Sequence, residues 1–238
     1  MKRFKLLLII SLCLCSCSSR KTETSISGCD IFDECGNIAE TEGTSFKEIY
    51  ESLNGAENSS GKSYRVIEIA EDHPFVQTDV KTVLQRIENK ESFYLYVGDE
   101  MCPWCRSVIE KAIEVSSLYQ IKEIAYLEIW DEKGAEILRD KYVVEDGKLI
   151  LETEAAQGYK QLLECFDELL SEYVLNENDQ SYDTGEKRIY APNFIYIENG
   201  IARKLVTGLS DRQQDSLEEL SAEILADETA IFEAFFNS

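Results

Sequence analysis

Phe93 to Arg106, FYLYVGDEMCPWCR, constrains the chain more than any other stretch. Phe93 to Val97 is an unbroken apolar and aromatic run, the pattern of a strand buried on both faces. Gly98, Asp99 and Glu100 break it. Cys102-Pro103-Trp104-Cys105 then opens a run with Val108, Ile109, Ala112, Ile113, Val115 and Tyr119 at helical spacing. Strand, turn and helix follow in order, with two thiols in the first helical turn. Unpaired backbone N–H groups and the positive helix end favour a thiolate at Cys102, and Cys105, one turn on, can attack a mixed disulfide. Pro103 suits the first helical position, where a missing N–H costs no hydrogen bond.

The chain begins with Lys2, Arg3 and Lys5, then an apolar run to Leu14, then small residues among three cysteines. That order predicts a signal peptide, too short for a membrane-spanning helix. Leu14-Cys15-Ser16-Cys17 resembles the bacterial lipoprotein signal, which implies cleavage after residue 16 and lipid attachment at Cys17. Leu12 to Cys15 is a poorer frame, because bulky Leu14 would precede the cut. Processing would remove three bases and no acid, taking the formal charge from −22 to about −25. Such a surface repels nucleic acid and anionic headgroups, so attachment to a membrane must come from acyl chains.

Five thiols would remain after processing: Cys29, Cys35, Cys102, Cys105 and Cys165. In an oxidising compartment Cys102–Cys105 is the obvious pair, and Cys29–Cys35 can close a short loop as a structural disulfide. Cys165, in the apolar run Leu162 to Leu170, is expected to be a small buried hydrophobe. His73 is the only histidine. It lies in an Asp-His-Pro turn and is expected on a surface loop, which argues against His-based metal or triad chemistry. A lone Cys-x-x-Cys offers two ligands where structural zinc wants four, so no metal site is expected.

Residues 17–62, polar with scattered apolar pairs, are expected to be a flexible tether ahead of a domain over 63–238. Tyr64 to Ala70 alternates as a strand, and Thr78 is placed to cap a helix bearing Val80, Val83, Leu84 and Ile87. After the central strand and the cysteine helix, Ile121 to Trp130 reads as a third strand, implying parallel pairing and right-handed crossovers. Asp146-Gly147 suggests a hairpin, 154–175 an amphipathic helix, and Asn176 to Gly185 a polar loop. Phe194 to Ile197 and Ile201 to Val206 flank the turn signal Asn199-Gly200. Ser210 and Gln213 suggest a capping box for a last helix carrying Leu217, Leu220 and Ile224.

The strand running into Cys102-Pro103-Trp104-Cys105, the later Ala191-Pro192, the Asn199-Gly200 hairpin and a final helix together resemble the thioredoxin-fold thiol–disulfide oxidoreductases. The resemblance covers residues 63–238, with 131–188 as an enlarged middle segment. It implies an α/β fold, a mixed central sheet flanked by helices. It also implies that Cys102 is the attacking thiol and Cys105 the resolving one, and that the Ala191–Pro192 bond is cis, beside the thiols, where it helps hold an extended substrate. Pro103 and Trp104 would shape the site. Tyr96 stands where thioredoxins carry a buried Asp, and Met101 where they carry Trp. Cys102 to Arg106 also matches the glutaredoxin Cys-Pro-aromatic-Cys-Arg pattern, but that family's upstream Lys and its Thr/Val-Pro loop are missing, so glutathione use is not expected.

The resemblance implies a membrane-tethered enzyme on the extracytoplasmic face of a bacterial cytoplasmic membrane. It would exchange disulfides with protein thiols or disulfides through a redox-active Cys102–Cys105 pair, with no other cofactor. Asp99 and Glu100 raise a nearby thiol pKa while the helix end and Arg106 lower it, which leaves oxidant and reductant both open. The alternative is a non-catalytic binding or accessory lipoprotein on the same scaffold, its Cys102–Cys105 bond merely structural. Lipidation is testable directly. Cys17→Ala should leave unprocessed precursor or release soluble protein, and unchanged acyl-dependent membrane retention would refute the assignment.

Overall fold

In the computed structural model, which describes residues 45–58, 60–128 and 138–237, the central strand β2 (Phe93–Gly98) is covered from both sides. Its alternate residues feed two cores. Phe93, Leu95 and Val97 point to one, Tyr94 and Tyr96 to the other. β2 pairs in parallel with β3 (Ile124–Glu128), and β3 in parallel with β1 (Phe75–Thr78). On its other side β2 pairs antiparallel with β8 (Asn193–Glu198), which pairs with β9 (Ile201–Val206). The sheet order is therefore β1-β3-β2-β8-β9, a mixed five-stranded sheet in an α/β fold.

The chain travels one way across the sheet from β1 to β2 and back from β2 to β3. Right-handed crossovers then require the two connecting helices to lie on opposite faces. They do. Helix α2 (Val80–Glu88) sends Val83 into one core, with Tyr159, Leu162 and Phe166 of α4 (Gln157–Phe166). Helix α3 (Pro103–Leu118) sends Val108, Ile109, Ala112 and Val115 into the other, with Phe232, Phe235 and Phe236 of α5 (Ala222–Phe236). Among the described residues no helix is long and apolar enough to cross a membrane.

The folded unit begins earlier than the expected tether allows, and Ser45 is its first described residue. Ser45 and Glu48 form a capping box at the start of α1 (Phe46–Glu51), and Phe46 and Tyr50 are buried in the α3 core. Burial of such side chains stabilises by about 1.5–3 kcal/mol each, enough to dock a six-residue helix whose own propensity would not form it. Residues 45–62 are thus not a tether. The signal segment 1–16, Cys17, Cys29, Cys35 and residues 131–137 lie outside the described residues.

Other elements also differ from expectation. Tyr64 to Ala70 is extended but joins no sheet. Side chains satisfy its backbone instead: the Ile67 N–H donates to Asn54 Oδ1 (3.0 Å), the Ile69 N–H to Glu51 (2.8 Å) and the Glu68 N–H to Glu110 (2.9 Å). Asp79, not Thr78, caps α2. The middle segment contains two hairpins. β4 (Lys141–Glu145) and β5 (Lys148–Thr153) turn at Asp146-Gly147 as expected, while β6 (Ser171–Glu177) and β7 (Gln180–Arg188) replace the expected polar loop and helix end. Asn178 and Asp179, both at positive φ, make the second turn, which their short polar side chains tolerate. The Ser210–Gln213 pair caps nothing. Ser221 caps α5, and the Ser210 hydroxyl donates to Asp227 at 2.6 Å.

Glu228 of α5 is wholly buried, and among the described residues neither carboxylate oxygen has a hydrogen-bond partner. Burial raises its pKa to about 7, against the opposing pull of Lys111 and Arg65. A carboxyl raised on folding contributes stability that is complete below its unfolded pKa and is lost as pH rises through the folded one. The protein should therefore lose stability between about pH 4.5 and pH 7 from this group. Glu228→Gln should flatten that slope and stabilise the chain at about pH 8 by roughly 1–3 kcal/mol, allowing for partial screening. Denaturant melts across pH with an unchanged slope in the variant would refute the assignment.

Candidate functional site

Cys102 is the N-cap of α3, with extended backbone angles, and its sulfur accepts the Cys105 N–H at 3.4 Å. Pro103 fills the first helical position. The turn that delivers Cys102 is tied by Asp99, whose side chain accepts the Met101 N–H at 2.6 Å and whose carbonyl accepts the Cys102 N–H at 3.2 Å. Cys102 is partly exposed and Cys105 fully buried, and both are free thiols.

The Ala191–Pro192 bond is cis, and the loop lies against the thiols: Cys102 Sγ donates to the Ala191 carbonyl at 3.5 Å. Pro192 is buried, while Ala191, Pro103 and Trp104 are partly exposed around Cys102. The structure therefore brings Cys102, Pro103, Trp104, Cys105 and Ala191-Pro192 to one place.

The two sulfurs have opposite electrostatic environments. The Cys102 pKa is lowered, first by the hydrogen bond from the Cys105 thiol, then by the N–H groups of Cys105 and Trp104, against burial and the Asp99 charge. The Cys105 pKa is raised well up by burial and by the neighbouring Cys102, with the Tyr96 hydroxyl and the Asp99 N–H opposing. The helix end and its partner thiol thus outweigh Asp99 at Cys102. Arg106 is not among the main contributions to that balance. Its guanidinium is wholly buried and donates to the carbonyls of Tyr50 (2.7 Å), Arg65 (2.7 Å) and Glu100 (3.4 Å) and to Asn54 Oδ1 (2.7 Å).

Beneath Cys105 lies a group of buried tyrosines. The Tyr96 hydroxyl is 2.9 Å from the Tyr50 hydroxyl, and the Tyr96 ring stacks on Tyr126. Beside them, carboxylate oxygens of Asp99, Glu100 and Glu128 lie within 4.8 Å of one another. Burial and then Asp99 raise the Glu128 pKa. Three oxygens of this kind suit a hard cation only with further oxygen ligands, and the adjacent thiols are not such ligands.

Tyr50 and Glu128 were not recognised in the sequence as parts of the site, and Arg106 was expected to act on the thiol charge, whereas its donors are met by Tyr50, Arg65, Glu100 and Asn54. The parallel β2–β3 register, which sets Glu128 opposite Gly98, is the signal that could have placed Glu128 there. Cys165 lies on α4 and is exposed, not buried, so its place in an apolar run misled. His73 packs its ring on Phe46 and accepts the Phe75 N–H, a structural role. No protein-family model matches this chain, and no curated protein matches it.

Limited alkylation of the full chain near neutral pH should modify Cys102 well before Cys105. Its rate should titrate below the ordinary thiol range, whereas Cys165, raised by partial desolvation of its thiol and by Glu164, should titrate above it. Peptide mapping that finds Cys105 modified first would reverse the assignment.

Proposed function

We propose that this protein is a thiol–disulfide oxidoreductase on a thioredoxin-like scaffold, lipid-anchored through Cys17 to the extracytoplasmic face of a bacterial cytoplasmic membrane. The observation that carries the redox reading is the unequal thiol pair. A partly exposed cysteine whose thiol pKa is lowered sits at a helix N-terminus, one turn from a buried cysteine whose thiol pKa is raised. The scaffold reading is supported by the strand that runs into the pair, the cis-proline loop against Cys102, the β8–β9 hairpin and the closing helix α5.

The chemistry follows from that inequality. The Cys102 thiolate attacks one sulfur of a partner disulfide, forming a mixed disulfide and releasing the other partner sulfur as thiolate. Cys105, as thiolate, then attacks Cys102 Sγ. The Cys102–Cys105 bond forms, the bond to the partner breaks, and the partner leaves with both electrons. The reverse sequence oxidises a partner dithiol through the same intermediate. The partly exposed Ala191 edge lies where an extended partner segment would meet Cys102.

Cys105→Ser removes the resolving sulfur and should trap partners on Cys102 as adducts released by reductant, whereas Cys102→Ser/Cys105→Ser should trap none. Equal capture by both variants would refute the exchange reading. A Cys102–Cys105 bond with a potential below about −300 mV would instead mark a structural disulfide.

A further inference from the structure

We propose that a cleft in the middle segment docks a lysine- or arginine-bearing, partly apolar stretch of the protein partner whose disulfide or thiols meet Cys102. This rests on the exchange chemistry proposed above and gives its substrate a chemical class.

The cleft, of about 880 Å³, lies between α4 and the two hairpins. Tyr142 and Leu151 stand opposite each other in the β4–β5 register, and with Leu163 of α4 they give the cleft its apolar lining. Leu151 is 45% exposed, so this surface is open to a partner. Around it stand the carboxylates of Asp140, Glu154, Glu164, Asp167, Glu172 and Glu186. Two ammonium groups face them, and both are engaged: Lys160 pairs with Glu154, and Lys187 with Asp167 at 2.9 Å. Among the described residues, Asp140, Glu164, Glu172 and Glu186 then have no ion-pair partner, which leaves the cleft four charges negative.

A concave wall of one charge sign concentrates its field inside, more than the same charges spread over an acidic surface. An acidic segment is repelled there, and a purely apolar one leaves the carboxylates unanswered. Lysine and arginine suit the cleft twice over. Their stems can cover Tyr142 and Leu151 while their charged heads reach the carboxylates.

The wall of the cleft leads to the thiols. The Glu172 carbonyl accepts the Tyr190 hydroxyl at 3.1 Å, and Tyr190 adjoins Ala191, whose carbonyl meets Cys102 Sγ at 3.5 Å. Lys187, in the cleft wall, precedes Ala191 by four residues, so their Cα atoms are at most about 14 Å apart. A partner cysteine at Cys102 therefore brings residues roughly four to six positions away to the near wall of the cleft.

The test uses the full chain, reduced, and two peptides of equal length whose single cysteine is held as an aryl mixed disulfide. One peptide is rich in Lys and Leu, the other in Glu and Leu. The Cys102 thiolate attacks the peptide sulfur and the aryl thiolate leaves. Cys105 then attacks Cys102 Sγ, and its proton departs with the peptide thiol. The mixed disulfide is the oxidant and takes both electrons. At low salt the Lys peptide should show a kcat/KM about ten-fold or more above that of the Glu peptide, a preference that shrinks as salt rises. Glu164→Lys and Glu186→Lys, one on each side of the cleft, should each cut that preference roughly three-fold or more. Glu233→Lys makes the same charge change on α5, across the sheet, and should leave the preference unchanged. A small neutral aryl disulfide should react alike with all four proteins.

No preference for the Lys peptide, or a loss in Glu233→Lys equal to that in the cleft variants, would overturn the docking role and leave the exchange reading standing. A wild-type pair that reduces none of these disulfides would overturn the exchange reading, and this role with it.

Discussion

The buried Arg106 guanidinium joins the parts of this structure that the site needs. It is a charge without exposure, and among the described residues no carboxylate oxygen lies within ion-pair distance of it. Such a group is tolerated inside a protein only when its donors are met, and here three backbone carbonyls and Asn54 meet them. Those acceptors come from three places: the end of α1, the extended segment at Arg65 and the turn before Cys102. One side chain in the first turn of the cysteine helix thus pins the N-terminal segment to the turn before Cys102. That link adds to the burial of Phe46 and Tyr50 in holding α1 in place.

The same segment explains how a chain without a paired strand at residues 64–70 still buries Tyr64, Ile67 and Ile69. A backbone that leaves the sheet must find other hydrogen-bond partners. Here Glu51, Asn54, Glu110 and Arg106 provide them, and all but Glu110 come from α1, the stretch after it, or the cysteine helix's first turn. The cost of breaking one such bond is modest, about 1–3 kcal/mol, but the bonds converge on one small region and fail together.

What could be read from the residues divides along physical lines. β2, the cysteine helix, the β8–β9 hairpin and both turns containing Gly were legible because burial periodicity and positive-φ chemistry are local. Asn199 and Gly200 do adopt positive φ, as do Asp146 and Gly147. α1 was not legible. Six residues cannot show a helical period, and its two aromatics are held by distant contacts. The apolar run through Leu170 continued a helical spacing beyond Phe166, but a 3-10 turn at Asp167–Leu169 and the following hairpin ended it. At the site, Cys102, Cys105 and the Pro192 loop were readable from a motif and a resemblance. Tyr50, the anchoring role of Arg106 and Glu128 depend on register and on a segment read as unfolded, so no local pattern could reveal them.

The enlarged middle segment bears on the site through its last residues. β7 ends at Arg188, and only Ile189 and Tyr190 separate it from Ala191. Each of those three residues is anchored back into the segment. Arg188 donates to the Asp140 carbonyl at 2.9 Å and lies over the Tyr173 ring, the Ile189 N–H donates to the Tyr159 hydroxyl, and the Tyr190 hydroxyl donates to the Glu172 carbonyl. The Tyr190 N–H in turn bonds the Asn193 side chain, closing the loop around Ala191-Pro192. The carbonyl that meets Cys102 Sγ is therefore positioned from β6, from Asp140 just before β4 and from α4, which packs on the face of the sheet opposite the cysteine helix. The thiol pair takes its asymmetry from the α3 side, and the edge a partner would approach takes its place from the other.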